Sequence, residues 1–171
     1  MTSMEEEFVP PAPPGLEYAL TVALELDHER GAVRTDQMSN GLAYGFIGVK
    51  GGWFRGPRIS GTAIPGGGDW PTIRANGVAV FDASYLLQAD DGTQIRLHNR
   101  GLRVDPELRV DGGRFVPGQP REFHEPEDVY FRVTPLFDVE DGPHDWLAKR
   151  VFVGVGERRP SGNRIHYYAV V

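Results

Sequence analysis

The sequence predicts an all-β fold: a single antiparallel β-barrel, closed or nearly closed, with one short helix near its C-terminal third. Three observations predict it. Large apolar residues alternate with polar or small ones in segment after segment. Glycine (22 residues) and proline (14 residues) punctuate the 171-residue chain between those segments. Only one short stretch carries a helical signature. Several strands with so little helix call for a sandwich or a barrel, and a barrel removes the exposed edges that pair with other chains.

Taken in order, residues 1–15 combine Glu5, Glu6 and Glu7 with Pro10, Pro11, Pro13 and Pro14. That composition predicts a flexible, extended tail ahead of one barrel domain over residues 16–171. Leu16, Tyr18, Leu20, Val22, Leu24 and Leu26 then alternate with Glu17, Ala19, Thr21, Ala23, Glu25 and Asp27. The two-residue period puts the large apolar groups on one sheet face. Further strands are predicted at 42–50, 53–64, 78–89, 93–100, 129–137, 151–157 and 164–171. Asp91-Gly92 suits a tight hairpin, because both residue types tolerate positive φ, and Pro160-Ser161-Gly162-Asn163 supplies the last turn. The helix is expected within 141–149, anchored by Trp146 and Leu147, its start confined by Gly142 and Pro143. Residues 102–128 have no clear pattern apart from a small hairpin, Leu108-Arg109-Val110 and Arg114-Phe115-Val116 around Asp111-Gly112-Gly113. A loop this long is either disordered or a lid over a site.

Composition narrows the function. A net charge of −6 argues against a polyphosphate partner, so no nucleic acid is expected. The absence of cysteine removes disulfides, thiolate metal sites and thiol nucleophiles together. No run approaches the roughly 20 apolar residues of a membrane span, and the acidic start is unlike a signal peptide. A cytoplasmic protein without membrane association is the expectation. No metal site is expected either: His28, His98, His124, His144 and His166 show none of the His-x-His or His-x-x-x-His spacings that ligate metals. The glycine run lacks the Lys-Ser/Thr of a phosphate loop, and no Gly-x-Ser-x-Gly elbow occurs.

The densest constellation is Gly61-Thr62-Ala63-Ile64-Pro65-Gly66-Gly67-Gly68-Asp69-Trp70. One reading is a rim loop where a ligand approaches the main chain, with Asp69 as base or anchor and Trp70 as a wall. The other is a tight barrel corner plugged by Trp70. On the strand after Asp91-Gly92, Asn99 shares a face with Ile95 and Leu97, whereas Arg100 shares the opposite face with Arg96 and His98. An inward Asn99 offers a ligand hydrogen bonds in an apolar pocket; inward arginines would favour an anion. Tyr130 and Arg132 share a face and can polarise a carbonyl, or form a surface pair. Arg158, His166, Trp53 and Trp146 complete the candidate set, with Asp69, Tyr130 and Arg132 catalytic and the others substrate-binding.

Several of these pieces recur together. The series Gly51-Gly52-Trp53-Phe54-Arg55-Gly56-Pro57-Arg58-Ile59-Ser60-Gly61-Thr62, Pro65-Gly66-Gly67-Gly68-Asp69-Trp70, Asn99-Arg100-Gly101, Tyr130-Phe131-Arg132, Trp146-Leu147 and Val153-Gly154-Val155-Gly156-Glu157-Arg158 resembles the bacterial and fungal family called domain of unknown function 3237. The resemblance runs from about Leu16 to the end. It implies a small single-domain β-barrel, similar in shape to the calycins and lipocalins, and it supplies no catalytic residue.

Chemistry therefore has to suggest the function. An acid, an amide, a phenol and guanidinium groups beside tryptophans suit a cofactor-free enzyme acting in the barrel lumen. Cyclisation, isomerisation or elimination of an apolar oxygenated metabolite fits, by acid–base catalysis and control of substrate conformation. The alternative is a carrier barrel that binds a small molecule without chemistry, and a structural module with a filled lumen is the third. The partner is a small molecule in the first two readings, with homo-oligomerisation left open.

Overall fold

In the computed structural model, residues 9–104, 109–111, 114–116 and 127–171 are described, with backbone alone for 29–33, 109–111 and 114–116. Twelve strands are present among them: β1 Leu16–Arg34, β2 Leu42–Arg55, β3 Ser60–Ala63, β4 Gly68–Asp69, β5 Thr72–Arg74, β6 Val78–Ala89, β7 Gln94–Val104, β8 Arg109–Asp111, β9 Arg114–Val116, β10 Tyr130–Val139, β11 Phe152–Arg159 and β12 Gly162–Val170. β8 and β9 form a separate hairpin, as the pattern around Asp111-Gly112-Gly113 predicts. The others make one antiparallel sheet that closes on itself, because β1 pairs with β12 on one side and β2 on the other. β3, β4 and β5 succeed one another between β2 and β6 and act as a single interrupted strand. The result is a closed eight-stranded barrel.

Two glycine-rich places differ from the sequence expectation. Residues 42–50 and 53–64 were expected as separate strands, but β2 runs unbroken through Gly51-Gly52. There Glu25 pairs with Gly51 and Leu26 with Val49, so Lys50 is an extra residue that bulges the strand. Gly52 lies so close to β1 that a Cβ would stand 2.1 Å from the Ala23 carbonyl oxygen. The second place is Pro65-Gly66-Gly67-Gly68, expected as a rim loop or corner. It interrupts the barrel wall instead: Gly66 and Gly67 have φ of 115° and 68°, and β4 resumes the pairing.

The predicted helix is shorter than expected, a 3-10 turn at Asp145–Leu147. It covers one end of the barrel, where Leu147, Phe152, Phe54, Leu20, Leu87, Ile95 and Tyr167 are almost wholly buried. Phe137 packs edge-on against both Phe152 and Tyr167, at 5.1 and 5.7 Å between ring centroids. That end is a solid apolar plug. At the opposite end the strands leave toward the 35–41, 75–77 and 160–161 turns, and the inward side chains become polar.

Candidate functional site

Inward-facing positions follow from register. Ile47, Asp69, Ala83 and Asn99 lie side by side across β2, β4, β6 and β7. Ile47 and Ala83 are buried, and the two polar residues share their face: Asp69 is 8% exposed and Asn99 3%. The glycine run is what aims Asp69. A side chain on Gly67 would collide with the Ser84 carbonyl at 2.3 Å, and one on Gly68 with the Phe46 ring at 2.5 Å. Only glycines let the chain fold back tightly enough to re-enter the wall at Asp69.

Around Asp69 lies a narrow hollow walled by Leu24, Leu26, Val49, Phe81, Phe131 and Ile165, with Tyr85, Asn99 and Asn163 as its other polar groups. Its volume is ≈ 20 Å³, room for about one water molecule. Phe81 and Phe131 stack at 5.0 Å, and Arg103 lies over the Phe81 ring at 5.8 Å. The Asn99 and Asn163 amide oxygens and the Tyr85 hydroxyl are buried without a well-formed hydrogen bond among the described residues. Unmet acceptors and donors of this kind are costly, and they mark a place that a ligand or water completes.

Burial dominates the electrostatics. Removal from water pushes the Asp69 carboxyl up to about 7, against the pull of a backbone N–H from Asp82 to Oδ1 at 3.3 Å and of the Arg103 charge. Tyr85 is lifted for the same reason, with the Asp69 charge adding to the effect, and so is neighbouring Tyr167. Nearer the open end, Arg158 shares the inward face of β11 with Gly154 and Gly156 and donates from Nη2 to Nε2 of His28 at 3.4 Å. Burial, then the charges of Arg158, Arg34 and Lys50, depress the His28 pKa.

The structure thus gathers Asp69, Asn99 and Arg158 inside, and it places the other predicted residues elsewhere. Tyr130 and Arg132 share the outer face of β10, with the guanidinium 5.1 Å from the phenol ring, because Phe131 and Val133 fill the core. Arg100 is outside with His98, which donates from Nε2 to Asp82 at 2.6 Å. Trp70 is 61% exposed and rests on Phe46, so it is no wall of the lumen. Trp53 is also outside, because the bulge at Lys50 shifts the phase of β2 and turns Phe54 inward instead. His166 lies on the outer face of β12, its Nδ1 2.8 Å from Thr21 Oγ1 and its Nε2 3.5 Å from the buried Glu157. Trp146 belongs to the plugged end, packed on Phe152 beneath Arg58.

Sequence reasoning missed Tyr85, Arg103, Asn163 and His28. A signal existed for two of them: an inward Asn99 commits Arg103, four residues on, to the same face, and an inward Leu26 commits His28. Among the described residues no group of three or more His, Asp or Glu side chains is placed to hold a metal ion, and no helix is long and apolar enough to cross a membrane.

Comparisons with known proteins bear on this barrel directly. A UPF0311 protein of Clostridium acetobutylicum is 28% identical over 115 residues, which is 67% of this chain and 70% of the relative. The crystal structure of a conserved protein of unknown function from Rhodopseudomonas palustris superposes with a TM-score of 0.80 at 27% identity, covering 95% of this chain and 100% of that one. An enzyme from Penicillium herquei shares the fold, with a TM-score of 0.68 at 24% identity over 96% and 99% of the two chains. The model of the family described as Protein of unknown function (DUF3237) matches residues 14–170, and the chain belongs to that family.

Proposed function

We propose that the protein is a small-molecule enzyme whose chemistry takes place at the polar end of the barrel interior, with Asp69 as general acid and base. The observation that carries this reading is the placement of the Asp69 carboxyl in the hollow at 8% exposure, where removal from water pushes its pKa up to about 7. A group with that pKa holds and releases a proton with comparable ease at neutral pH, which is what acid–base catalysis asks of it. Asn99, Asn163 and Tyr85 offer hydrogen bonds to an oxygen that gains or loses charge beside it. The stacked Phe81 and Phe131 provide an apolar wall, and Arg103 and Arg158 bring positive charge above the site. The enzyme of Penicillium herquei that shares the fold supports a catalytic use of this barrel.

The reaction class that fits is a cofactor-free cyclisation, isomerisation or elimination of an apolar oxygenated metabolite. The hollow admits only the reacting group, so the rest of the substrate would rest toward the open end. Its small volume also favours a second reading, a barrel whose interior is mainly packing.

The test incubates the protein with extracts of its native cells and follows consumed components by mass spectrometry. Wild type should convert one component, Asp69→Asn should be slower by about a hundredfold or more, and Arg132→Met, on the outer wall, should match wild type. Folded Asp69→Asn protein with full turnover overturns the assignment. Binding without product points to a carrier, and neither binding nor product points to the packed module.

A further inference from the structure

We propose that the outer wall carries a docking groove for a proline-rich segment, and that its occupant is the N-terminal tail of a second copy of this chain. The groove lies outside the barrel, across β2, β4 and β5, and is distinct from the Asp69 hollow. Tyr44, Phe46 and Trp70 form its floor, with Thr35, Thr72 and Asp82 at its edges, and its volume is ≈ 700 Å³. Its aromatic groups are unusually open for a monomer surface: Trp70 is 61% exposed and Tyr44 37%. Phe46 and Trp70 pack at 4.4 Å between centroids, which presents a firm apolar ridge.

Such a surface suits a polyproline II segment. That helix is already extended before it binds, so docking costs little order, and its prolines fit between aromatic rings. The four prolines bring no N–H, so the segment presents mainly carbonyl oxygens; the Trp70 indole N–H can donate to them, and so can the Tyr44 hydroxyl, which accepts from Asn40 Nδ2 at 2.7 Å.

The chain itself contains the matching sequence. Val9-Pro10-Pro11-Ala12-Pro13-Pro14 holds two prolines three residues apart in each of two frames, Pro10 with Pro13 and Pro11 with Pro14. With three residues per turn, each pair stands on one side of the helix at about 9 Å. Tyr44 and Phe46, two residues apart on a strand, are about 7 Å apart, and Trp70 stands beside Phe46 across the β2–β4 register. Charge agrees as well. Glu5, Glu6 and Glu7 precede the prolines, and Arg74, two residues from Thr72, stands at the groove, while Arg100 is paired with the groove's own Asp82 at 3.7 Å.

The source of the segment follows from where the tail goes. Gly15 is paired with Val171 at the plugged end, and residues 9–14 beyond it are all exposed, so within one chain none of them occupies the groove. Residues 9–13 lie ahead of the family match, which begins at Pro14.

Sedimentation of the full chain across concentrations tests this. Wild type should associate reversibly to a dimer, weakened by salt. A variant with Pro10, Pro11, Pro13 and Pro14 all replaced by Ser, and separately Trp70→Ala, should each weaken association at least about tenfold. A mixture of the two variants should recover it, since one supplies the tail and the other the groove. A monomeric wild type, a dimer indifferent to both variants, or a mixture that fails to associate overturns the proposal. So does a monomer whose Trp70 fluorescence depends on its own prolines, which would place the tail in the groove of the same chain.

Discussion

A carboxyl taken out of water loses the hydration that stabilises its charge, and Asp69 shows the consequence in both stability and chemistry. Below a pH near 4 the folded and unfolded chains both hold this proton. As pH rises toward 7 the unfolded chain releases it while the folded chain retains it, so folding loses stability over that window; above about 7 the loss is constant. The full effect is about 4 kcal/mol at most. Asp69→Asn should therefore gain stability over wild type between pH 4 and pH 8, measured by urea denaturation, and an equal offset at both would show an ordinary carboxyl. Asn99 tests the same hollow in another way. Its amide oxygen is buried and unmet, so Asn99→Leu should keep stability or raise it by about 1 kcal/mol while abolishing the turnover sought for wild type. A large loss of stability would show that Asn99 serves packing alone.

At the scale of elements, two interruptions of regular strand set the site. The bulge at Lys50 changes which residues of β2 face inward, and the Pro65–Gly68 excursion delivers Asp69 to the interior. Gly67 combines φ of 68° with a position where a Cβ would meet backbone at 2.3 Å. Gly67→Ala should cost about 2 kcal/mol or more, whereas Gly66→Ala, with open space around it, pays for its conformation only. Thermal unfolding of both variants checks the difference, and equal effects would mean that the close approach is unimportant. The interruption was visible in the sequence as a glycine run. Its direction was not, because a glycine run is compatible with a corner, a rim loop or a re-entrant wall, and only the neighbouring strands choose.

The whole barrel is not equally sealed. β6 and β7 pair over eleven positions from Val78 to Gln88, but β10 and β11 pair only at Arg132 with Val155 and Val133 with Gly154. Pro135, which has no N–H to offer, lies on β10 just past those pairs. An outer groove lined by Tyr130, Arg132, Val153 and Tyr168 runs along this seam. Amide exchange should be fastest in the wall along β10–β11 and slowest in β6–β7; uniform protection would contradict the seam. The plugged end, by contrast, is held by interlocking Phe137, Phe152 and Tyr167, and it leaves the polar end as the place where small groups can enter.

Alternation and turn chemistry were enough to reveal an all-β barrel and most strand positions. Of the row from Leu16 to Leu26 expected on one face, however, only Leu20, Val22, Leu24 and Leu26 are buried, because a register shift between Tyr18 and Leu20 leaves Leu16 and Tyr18 on the outer wall. Alternation and turn chemistry also made Asn99 and Asp69 candidates. What they could not decide was which face of each strand is inside, since alternation is symmetric until a neighbour fills one side. Phe131 and Val133 took the core and sent Tyr130 and Arg132 outward, the bulge at Lys50 exchanged Trp53 for Phe54, and closure of β1 onto β12 brought Asn163 within reach of a carboxyl nearly one hundred residues earlier. Side-chain facing is a property of the closed sheet, because volume inside it is limited and every strand competes for the same space.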